Sequence, residues 1–553
     1  YFMIKSSVTV KKILFYKIDA IKVPEYVFYA LNAFKSSFDE IVIIVRPEYD
    51  ITSSELNSFG DYIVKANDSL EQLCGNDNVK SFMERWDYVC FIDDSFFGPV
   101  FDLSVMFDRF GKSSADFMTS GFDSLNTEYF LFIKRSAANL ISFFNFSDEA
   151  YIHNLLNNIL NNGLKQYFLY EDDKKDSNID NYMEVLLNTK FPFIKINDLV
   201  YNSINPRFIL DSVRNNSQYP IELIKSYIFS KYNPNVSYKL FQKTVFPMST
   251  ASETDLSIAV HIHAYYPDIL EKYLLALSKN KIKYTLFITT DNENKKLEIT
   301  KILDKFRFER KDVQIIITAN IGRDVWPWLS ISDQLSRYDI AGHFHTKKSP
   351  HKYSFKGQAW TDEIISSIMS NMKDIISIFA ENKKIGVVIP DIPDFYKFIS
   401  AFDVLSKDNR ELCNELWSKM FSEADEFNFF DINTPIMPYG NMFWYRPQAL
   451  KAIMDMKIKE TDIPVEPLPI DGTLLHAIER LPVYAAWKQG FDFRVVLNKE
   501  RLVSGFDYRM NGLCQNAIVM AKMDNECRMG NKSIIKKIIC RVCKNIKSVL
   551  LLL

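Results

Sequence analysis

Short apolar runs that end in polar residues alternate with amphipathic stretches along most of the chain, and this alternation constrains the fold most strongly. In the first half we predict strands at 12–16, 41–45 and 88–92, with a helix at 26–38 between the first two. A strand, a helix and a second strand at this spacing form a βαβ unit with parallel strands. The expected fold class is therefore α/β.

The second half repeats this plan. Its predicted strands are 256–263, 284–290, 313–318 and 338–345, and a helix at 268–278 follows the first of them. In addition, residues 440–449 resemble 128–137, since each segment reads as a strand, a basic residue and a helix start. The repetition predicts two related mixed-sheet domains. The predicted domains and their connections are 1–215, a linker at 216–254, 255–505 and a helical C-terminal tail at 506–553.

Composition excludes several classes of protein. A chain of 553 residues with 47% apolar and 25% charged residues can build several globular cores. The net charge of −2 gives no indication of nucleic-acid binding. The seven cysteines show no disulfide framework, and no run of about eighteen apolar residues suggests a membrane span. We expect a cytoplasmic protein.

Polar residues follow successive strands of the second half. In open α/β sheets, ligands bind outside the carboxyl ends of strands, where the strand order reverses. We therefore expect these residues to form a ligand site, and the alternative is that they are only solvated loop residues. They are Asp291, Asn320, Gly322, Arg323, Asp324, His345, Lys347 and Lys348.

Several segments of the chain resemble the rhamnan synthesis protein F family. In the second half these segments are 258–267, 320–328, 345–350, 440–447 and 471–480. The strings His-Thr-Lys-Lys-Ser-Pro and Asp-Gly-Thr-Leu-Leu-His-Ala-Ile-Glu-Arg are the most specific of them. The first half contributes Asp-Ser-Phe-Phe-Gly-Pro at 94–99, which is similar to the family's Asn-Asp-Ser-x-x-Gly-Pro. The likeness extends from about residue 11 to residue 501.

The resemblance implies a function. Members of this family are glycosyltransferases of bacterial surface polysaccharides such as rhamnan, O-antigen or capsule. It implies transfer of a sugar, L-rhamnose from dTDP-L-rhamnose, to a lipid-linked glycan acceptor. The alternatives are a non-catalytic glycan-binding or assembly scaffold built from decayed transferase domains, and a phosphotransferase that uses the Lys and His cluster.

The second half also resembles, more distantly, the inverting GT-A glycosyltransferases. That resemblance implies a GT-A-like domain in which Asp291 contacts the nucleotide base and Asp471 is the general base. A carboxylate at a helix start is held by backbone donors and stays ionised at neutral pH, as a general base requires. The alternative for Asp471 is a helix N-cap. Glu479 is a reserve candidate for the base.

The metal-binding position of the GT-A plan departs from the expected Asp-x-Asp. Here the chain reads His-Phe-His-Thr-Lys-Lys at 343–348. Lys347, Lys348 and His345 would neutralise the leaving diphosphate as point charges, and Arg323 would add a bidentate contact. No cofactor is firmly implied, and a divalent Mg or Mn ion is the less favoured expectation.

The histidines of the second half leave a metal site open as an alternative. His261 and His263 alternate on one predicted strand, and His343 and His345 alternate on another, so each pair shares a face. If these strands are neighbours, four imidazoles converge, either as metal ligands or as hydrogen-bonding groups. We assign His261 and His263 to an acceptor or secondary site. Trp444 joins them as an aromatic that could stack on a sugar, with core packing as its alternative.

The first half carries a weaker version of the same motif. Asp93, Asp94 and Ser95 follow a predicted strand where an Asp-x-Asp-like motif belongs. The family's Asn-x-Gly-x-Asp-type segment is eroded here, since residues 64–69 read Val-Lys-Ala-Asn-Asp-Ser. We expect a non-catalytic or acceptor-handling role for this half, with a second transferase as the alternative.

The residue pattern of the C-terminal tail predicts binding to a membrane surface. Apolar positions between residues 534 and 546 share one helical face, with basic residues elsewhere, which is typical of a helix that binds an anionic membrane surface. We expect a peripheral association with the inner face of the cytoplasmic membrane, where a polyprenyl-diphosphate-linked acceptor would be available. A core-packing or partner-binding helix is the alternative. A zinc site formed by four cysteines is a further, weaker interpretation of this part of the chain. These cysteines are Cys514, Cys527, Cys540 and Cys543.

Overall fold

The computed structural model divides the chain into two compact units, Tyr1–Phe241 and Gln242–Leu553. The predicted tail at 506–553, with its amphipathic helix and its cysteines, lies outside the described residues. The structure describes residues 10–52, 54–66, 79–119, 130–137, 164–167, 190–202, 206–246, 255–306, 312–348, 354–392, 405–421, 427–432, 434–469 and 471–497.

The first unit is built from the predicted strands and from further short ones. Its strands are β1 (Lys12–Ile18), β2 (Glu40–Val45), β3 (Tyr62–Lys65), β4 (Tyr88–Asp93), β5 (Phe96–Phe97), β6 (Phe117–Thr119), β7 (Leu131–Lys134), β8 (Gln166–Tyr167) and β9 (Ile194–Lys195). Its helices are α1 (Glu25–Phe34), α2 (Val79–Met83), α3 (Leu103–Lys112), α4 (Pro206–Asn216), α5 (Ile221–Lys231) and α6 (Pro234–Leu240).

The sheet of this unit is mixed. Its described strands have the order β3-β2-β1-β4-β7-β6-β8, while β5 pairs with β9 in a small separate sheet. Strands β1, β2, β3 and β4 are parallel to one another, and β7 is antiparallel to both β4 and β6. Because these strands read as nearly continuous apolar runs, both faces of the sheet are covered by buried side chains.

The second unit contains the strands predicted for the second half. Its strands are β10 (Thr244–Val245), β11 (Ile258–His263), β12 (Thr285–Thr290), β13 (Val313–Ile317), β14 (Ile340–His345), β15 (Ile385–Pro390), β16 (Phe443–Tyr445) and β17 (Asp492–Val496). Its helices are α7 (Pro267–Ser278), α8 (Glu293–Leu303), α9 (Val325–Ser330), α10 (Ser332–Leu335), α11 (Ser354–Ile364), α12 (Met372–Glu381), α13 (Lys407–Met420), α14 (Lys451–Asp455), α15 (Leu474–Arg480) and α16 (Pro482–Lys488). Single-turn helical segments are Ile365–Met369, Phe429–Asp431, Pro447–Leu450 and Glu460–Asp462 here, and Glu55–Ser58 and Asp198–Asn202 in the first unit.

The sheet of the second unit has the order β10-β17-β15-β16-β14-β11-β12-β13. Strand β16 is antiparallel to β14 and β15, and the other pairs are parallel. Gly342 on β14 allows the Trp444 ring to lie against the strand, because a Cβ at this position would come within 2.8 Å of that ring. The predicted α/β class with two mixed-sheet units is confirmed.

The two units share one strand order. The two sheets align strand by strand when β13, β12, β11, β14, β16, β15 and β17 of the second unit are matched, in that order, with β3, β2, β1, β4, β7, β6 and β8 of the first. In this alignment the cross-strand pair Phe15 and Phe91 of the first unit corresponds to the cross-strand pair His261 and His343 of the second unit. Both pairs are stacked, with ring centroids 5.0 Å apart for the phenylalanines and 5.2 Å apart for the histidines. The units therefore differ in polarity at one equivalent place in the sheet.

The segment assigned to a linker, 216–254, differs from that expectation. Its first part forms α5 and α6, whose apolar residues pack into the core of the first unit. The boundary between the compact units falls after Phe241. Lys243 then forms a largely buried ion pair with Asp492, 2.7 Å between Nζ and Oδ1, beside the pairing of β10 with β17. Much of the supposed linker is thus structured.

Within the described part of the chain, no helix has the length and apolar character needed to cross a bilayer.

Candidate active site

The strand order of the second unit reverses between β11 and β14. The chain adds β12 and β13 on one side of β11, and it then returns to place β14 on the other side. A reversal of this kind opens a crevice at the carboxyl ends of the two strands. His263 and His345 lie opposite each other at those ends.

The four strand histidines lie on one face, as the alternation predicts. His261 and His343 are fully buried, and their Nδ1 atoms are 3.1 Å apart. Nε2 of His261 lies 2.9 Å from Oγ1 of Thr289 on β12, and the same hydroxyl lies 3.0 Å from Nδ1 of His263. The imidazoles of His261, His263 and His343 thus form a hydrogen-bonded column across three strands, together with the Thr289 hydroxyl.

Asn441 and Asp324 lie at the His343 end of this column. Nδ2 of Asn441 donates to Oδ2 of Asp324 at 2.8 Å and lies 3.3 Å from Nε2 of His343. In the tautomer in which Nε2 of His343 accepts from this amide, the proton of His343 is on Nδ1 and is donated to His261, which donates through Nε2 to Thr289, whose hydroxyl donates to His263. In the other tautomer, Nε2 of His343 carries the proton and faces Oδ2 of Asp324 at 3.7 Å.

Burial keeps these imidazoles neutral. It lowers the pKa of His263 to about 4. Burial, followed by the neighbouring His343 and His263, holds the pKa of His261 well below its ordinary value. Burial also lowers the pKa of His343, although Asp324 acts in the opposite direction. The column is therefore a neutral donor and acceptor chain at neutral pH.

Asp324 supplies the negative charge of the site. Burial by itself would raise the pKa of this carboxyl, but His345, His343 and the Asn441 amide lower it by more, so the pKa lies well below its usual range. Its Oδ2 is 3.7 Å from Nε2 of His343 and 3.9 Å from Nε2 of His345. His345 instead bonds through Nε2 to the backbone oxygen of Gly440 at 2.8 Å. An ionised carboxylate thus lies at the floor of the crevice.

The loop before Asp324 requires glycine. Gly322 has φ +63, and a Cβ there would come within 2.7 Å of the Cβ of Trp326. Arg323 follows with φ 52, and its Nε lies 3.2 Å from Oε1 of Glu466. Arg323 is partly exposed and Asn320 is exposed, so both remain accessible to a ligand.

Asp471 is held by side chains, which corrects the expectation for this residue. The N-cap of α15 is Thr473, and Gly472 with φ +75 separates it from Asp471. Nδ2 of Asn409 on α13 donates to Oδ2 of Asp471 at 2.7 Å, and Nη2 of Arg480 donates to Oδ1 at 3.1 Å. Backbone donors therefore do not hold this carboxylate. Asn409 was missed in the sequence, because a contact across 62 positions leaves no local signal.

Glu479 lies near Arg480 and is affected by the charge of Asp324. Its side chain is 24% exposed, and its Oε2 lies 3.9 Å from Nη1 of Arg480. Burial, together with the negative charge of Asp324, raises the pKa of Glu479 to about 7, while Arg480, Lys347 and Arg323 act in the opposite direction. Glu479 is therefore a carboxyl group that titrates near neutral pH, close to Asp324.

The two lysines after β14 diverge. Lys347 lies over the Trp360 ring, 4.2 Å from its centroid. Lys348 forms an ion pair with Asp268 at 2.6 Å and lies over the Tyr266 ring. The charge of Lys347 acts to lower the pKa of Glu479.

Asp291 follows β12 as predicted. Its Oδ2 forms an ion pair with Lys295 at 2.8 Å, and Nδ2 of Asn292 donates to its Oδ1. Lys295 also lies 3.6 Å from the centroid of the Tyr265 ring. The negative charge of Asp291 acts to raise the pKa of His263, against the larger effect of burial.

Trp444 lies in the core, which corrects its assignment to an acceptor or secondary site. It is fully buried, and its Nε1 donates to the backbone oxygen of Ile368 at 2.8 Å. Trp328 is also fully buried, stacks on His343 with centroids 5.0 Å apart, and donates through Nε1 to the Tyr445 hydroxyl. Trp328 therefore lies against the histidine column, whereas Trp444 lies in the apolar core on the other face of the sheet, and neither offers a face to a sugar.

In the first unit, the carboxylates at the end of β4 have structural partners. Asp94 accepts from the backbone N–H groups of Asp19 and Ala20 at 3.1 and 2.9 Å, which ties the end of β1 to β4. Asp93 accepts from the backbone and the hydroxyl of Ser95, and burial raises its pKa to about 7. Asp93 and Ser95 are thus bonded to each other, and Asp94 is bonded to the segment that follows β1.

Among the residues that the structure describes, no group of three or more His, Cys, Asp or Glu side chains has an arrangement that could hold a metal ion.

The chain is similar to several known proteins. Protein WxcX of Xanthomonas campestris pv. campestris (strain B100) is 28% identical over 242 residues, which cover 42% of this chain and 32% of WxcX. The chain thus matches about a third of the length of this relative. The mannosyltransferase PcManGT of Pyrobaculum calidifontis, solved with GDP-Man and Mn2+, covers 53% of this chain and 67% of its own, with 10% identity and a TM-score of 0.25. The glycosyltransferase GlyE of Streptococcus pneumoniae TIGR4 covers 63% of this chain and 88% of its own, with 12% identity and a TM-score of 0.22.

A family profile, that of rhamnan synthesis protein F, also matches the chain. It extends over residues 149–491, and it therefore includes the reversal point, the histidine column and Asp471. It covers more than half of the chain. The chain belongs to the rhamnan synthesis protein F family.

Proposed function

We propose that the second unit is a glycosyltransferase of bacterial surface polysaccharide synthesis, which uses a nucleotide-sugar donor. The observation that carries the proposal is the group of charged side chains at the reversal of strand order. The negative charge of Asp324 raises the pKa of Glu479, and the positive charges of Lys347 and Arg323 lower the pKa of that same Glu479 carboxyl. Family membership supports polysaccharide synthesis as the setting.

The reaction assigns different tasks to these groups. The acceptor hydroxyl attacks the anomeric carbon, the bond from that carbon to the phosphate oxygen breaks, and its electron pair leaves with the nucleoside diphosphate. Lys347 and Arg323 are suited to stabilise that added negative charge, with His345 as a hydrogen-bonding neighbour. Asp291, at the end of β12, is assigned to the nucleotide base. A GT-A-like arrangement is part of this proposal.

Asp471 is the proposed general base. It takes the proton from the acceptor hydroxyl as the new glycosidic bond forms. The Asn409 amide and the Arg480 guanidinium hold its two oxygens, and its side chain remains 33% exposed. A carboxylate that is oriented and still accessible meets the geometric requirement for a base. A single displacement with one base implies inversion at the anomeric carbon.

The finer assignments rest on the family. We propose L-rhamnose from dTDP-L-rhamnose as the donor and a polyprenyl-diphosphate-linked glycan as the acceptor. The basic amphipathic pattern between residues 532 and 546 supports binding at the inner membrane surface.

The test is nucleotide release by purified full-length protein, with a panel of nucleotide sugars and a rhamnosyl acceptor, with and without EDTA. We expect acceptor-dependent release of the diphosphate from one donor. Asp471→Asn should lower kcat by roughly 10²–10⁴-fold, the contribution of a general base. Asp455→Asn, which removes an exposed carboxylate paired with Lys451, is the control and should retain activity.

Each other outcome identifies a different function. Donor binding and release that are absent with every nucleotide sugar would favour a glycan-binding scaffold. Release of a nucleoside monophosphate would favour a phosphotransferase. Loss of activity in EDTA would show that a divalent metal takes part.

A further inference from the structure

The first unit contains an open cleft of about 500 Å3 at the carboxyl ends of β1 and β2. Its lining residues are Ile21, Lys22, Val23, Phe28, Arg46, Glu48, Tyr49, Asp50, Ser54 and Glu55. A volume of this size suits a small ligand, for which sites of about 300–1,000 Å3 are usual. The same edge of an α/β sheet is where ligands bind. The cleft is thus placed and sized for binding.

Local contacts hold the aromatic walls of the cleft in position. The backbone N–H of Tyr49 donates to the oxygen of Arg46 at 3.0 Å, which closes a turn after β2. The Tyr49 hydroxyl lies 3.2 Å from Oγ of Ser54. The Phe28 ring packs on Phe59, with centroids 5.7 Å apart. Both rings are half-buried, so each retains an accessible face.

The charges of the cleft do not favour a diphosphate. Two cationic side chains, Lys22 and Arg46, face three carboxylates, and Nη1 of Arg46 is 3.8 Å from Oε1 of Glu48. In the alignment of the two sheets, Arg46 takes the position of Asp291, which reverses the charge at that strand end. Binding of a dianion requires an excess of positive charge, which this lining lacks.

These features suit a neutral ligand that has both apolar faces and hydroxyl groups. We propose that this cleft binds a neutral oligosaccharide, a stretch of the acceptor glycan, and this assignment rests on the transferase function proposed for the second unit. The C–H faces of the sugars pack on Tyr49 and Phe28. Their hydroxyls bond with the Glu48 carboxylate and the Arg46 guanidinium. Ile21, which is 77% exposed, extends the apolar surface at the rim.

The experiment measures binding directly, by titration calorimetry on the full chain with a rhamnose trisaccharide. Tyr49→Ala should weaken binding about tenfold, which corresponds to the loss of about 1.4 kcal/mol. Arg46→Ala should weaken it several-fold and leaves the fold intact, because this side chain is 45% exposed. Tyr62→Ala removes a 42% exposed tyrosine of the same unit outside the cleft, and it should bind the trisaccharide as well as the parent does.

The proposal is overturned if the trisaccharide does not bind, or if both cleft variants bind it unchanged. It is also overturned if thymidine diphosphate binds and the cleft variants weaken that binding, since the cleft would then be a nucleotide site. Nucleotide release in the same samples separates the two proposals. Release without glycan binding rejects the cleft alone, whereas glycan binding in the cleft without release from any donor rejects the transferase function.

Discussion

Nδ1 of His261 and Nδ1 of His343 lie 3.1 Å apart in the buried face of the second unit's sheet, so one of them must carry a proton and the other must not. The arrangement excludes two charged imidazoles, because both nitrogens would then be donors. The equivalent positions of the first unit hold two stacked phenyl rings. The second unit therefore contains a polar column that the architecture itself does not need.

The column can be tested by a double-mutant cycle. His343→Phe removes the partner of Nδ1 of His261 and one of the two partners of the Asn441 amide, and it should lower the free energy of unfolding by about 1–3 kcal/mol. His261→Phe should cost a similar amount for the same reason. The double variant recreates the phenyl stack of the first unit, so its loss should be about 1 kcal/mol smaller than the sum of the two single losses. Urea unfolding of the three variants measures this, and simple additivity would contradict it.

The buried histidines predict an acid-sensitive fold. The pKa of His263 is about 4 in the folded protein, whereas an unfolded histidine titrates near 6.5. The unfolded chain binds more protons between these values, so stability is complete above pH 6.5 and falls as the pH decreases towards 4. The contribution of this one residue is roughly 3 kcal/mol. In His263→Gln, the free energy of unfolding should depend less steeply on pH in that window, as urea titrations at several pH values will show.

Glu479 predicts a pH dependence of activity near neutrality. Its pKa of about 7 results from burial and from the negative charge of Asp324. The kcat/KM of the parent should therefore change with an apparent pKa of about 7, and Glu479→Gln should abolish that change. Asp324→Asn removes the neighbouring charge, lowers the pKa of Glu479 and moves the profile to lower pH. A profile that stays in place in both variants would exclude Glu479 as the titrating group.

The hydrogen bond from Asn409 is expected to orient the Asp471 carboxylate. Asn409→Ala removes the donor 2.7 Å from Oδ2, and it should lower kcat by about tenfold with little change in KM, because only the orientation of the base is lost. Cys413→Ala, one turn later on α13, is the matched control. Cys413 is buried against Ala477 and is not bonded to Asp471, so its loss should lower stability without the same loss of kcat. Equal effects of both variants on kcat would indicate a structural role only.

The sequence was sufficient for the features that are local or periodic. The two-residue spacing on a strand predicted that His261 and His263 share a face, as do His343 and His345. The polar residues that follow each apolar run located the strand ends. The long-range contacts were not predictable. Asn409 reaches Asp471 from a separate helix, and the positive φ of Gly472 moves the helix cap from Asp471 to Thr473. Trp444 was misassigned because a strand aromatic looks the same in sequence whether its face is covered or open.

The edge strand β10 determines how the second unit can be produced in isolation. Its two residues pair with β17, and the ion pair of Lys243 with Asp492 closes the same edge. A fragment that begins at the first predicted strand of the second half would expose the backbone of β17 and leave Asp492 with Arg494 as its remaining cationic partner. An exposed strand edge invites pairing with another chain. Expression of the second unit should therefore start at or before Gln242, and shorter fragments are expected to aggregate.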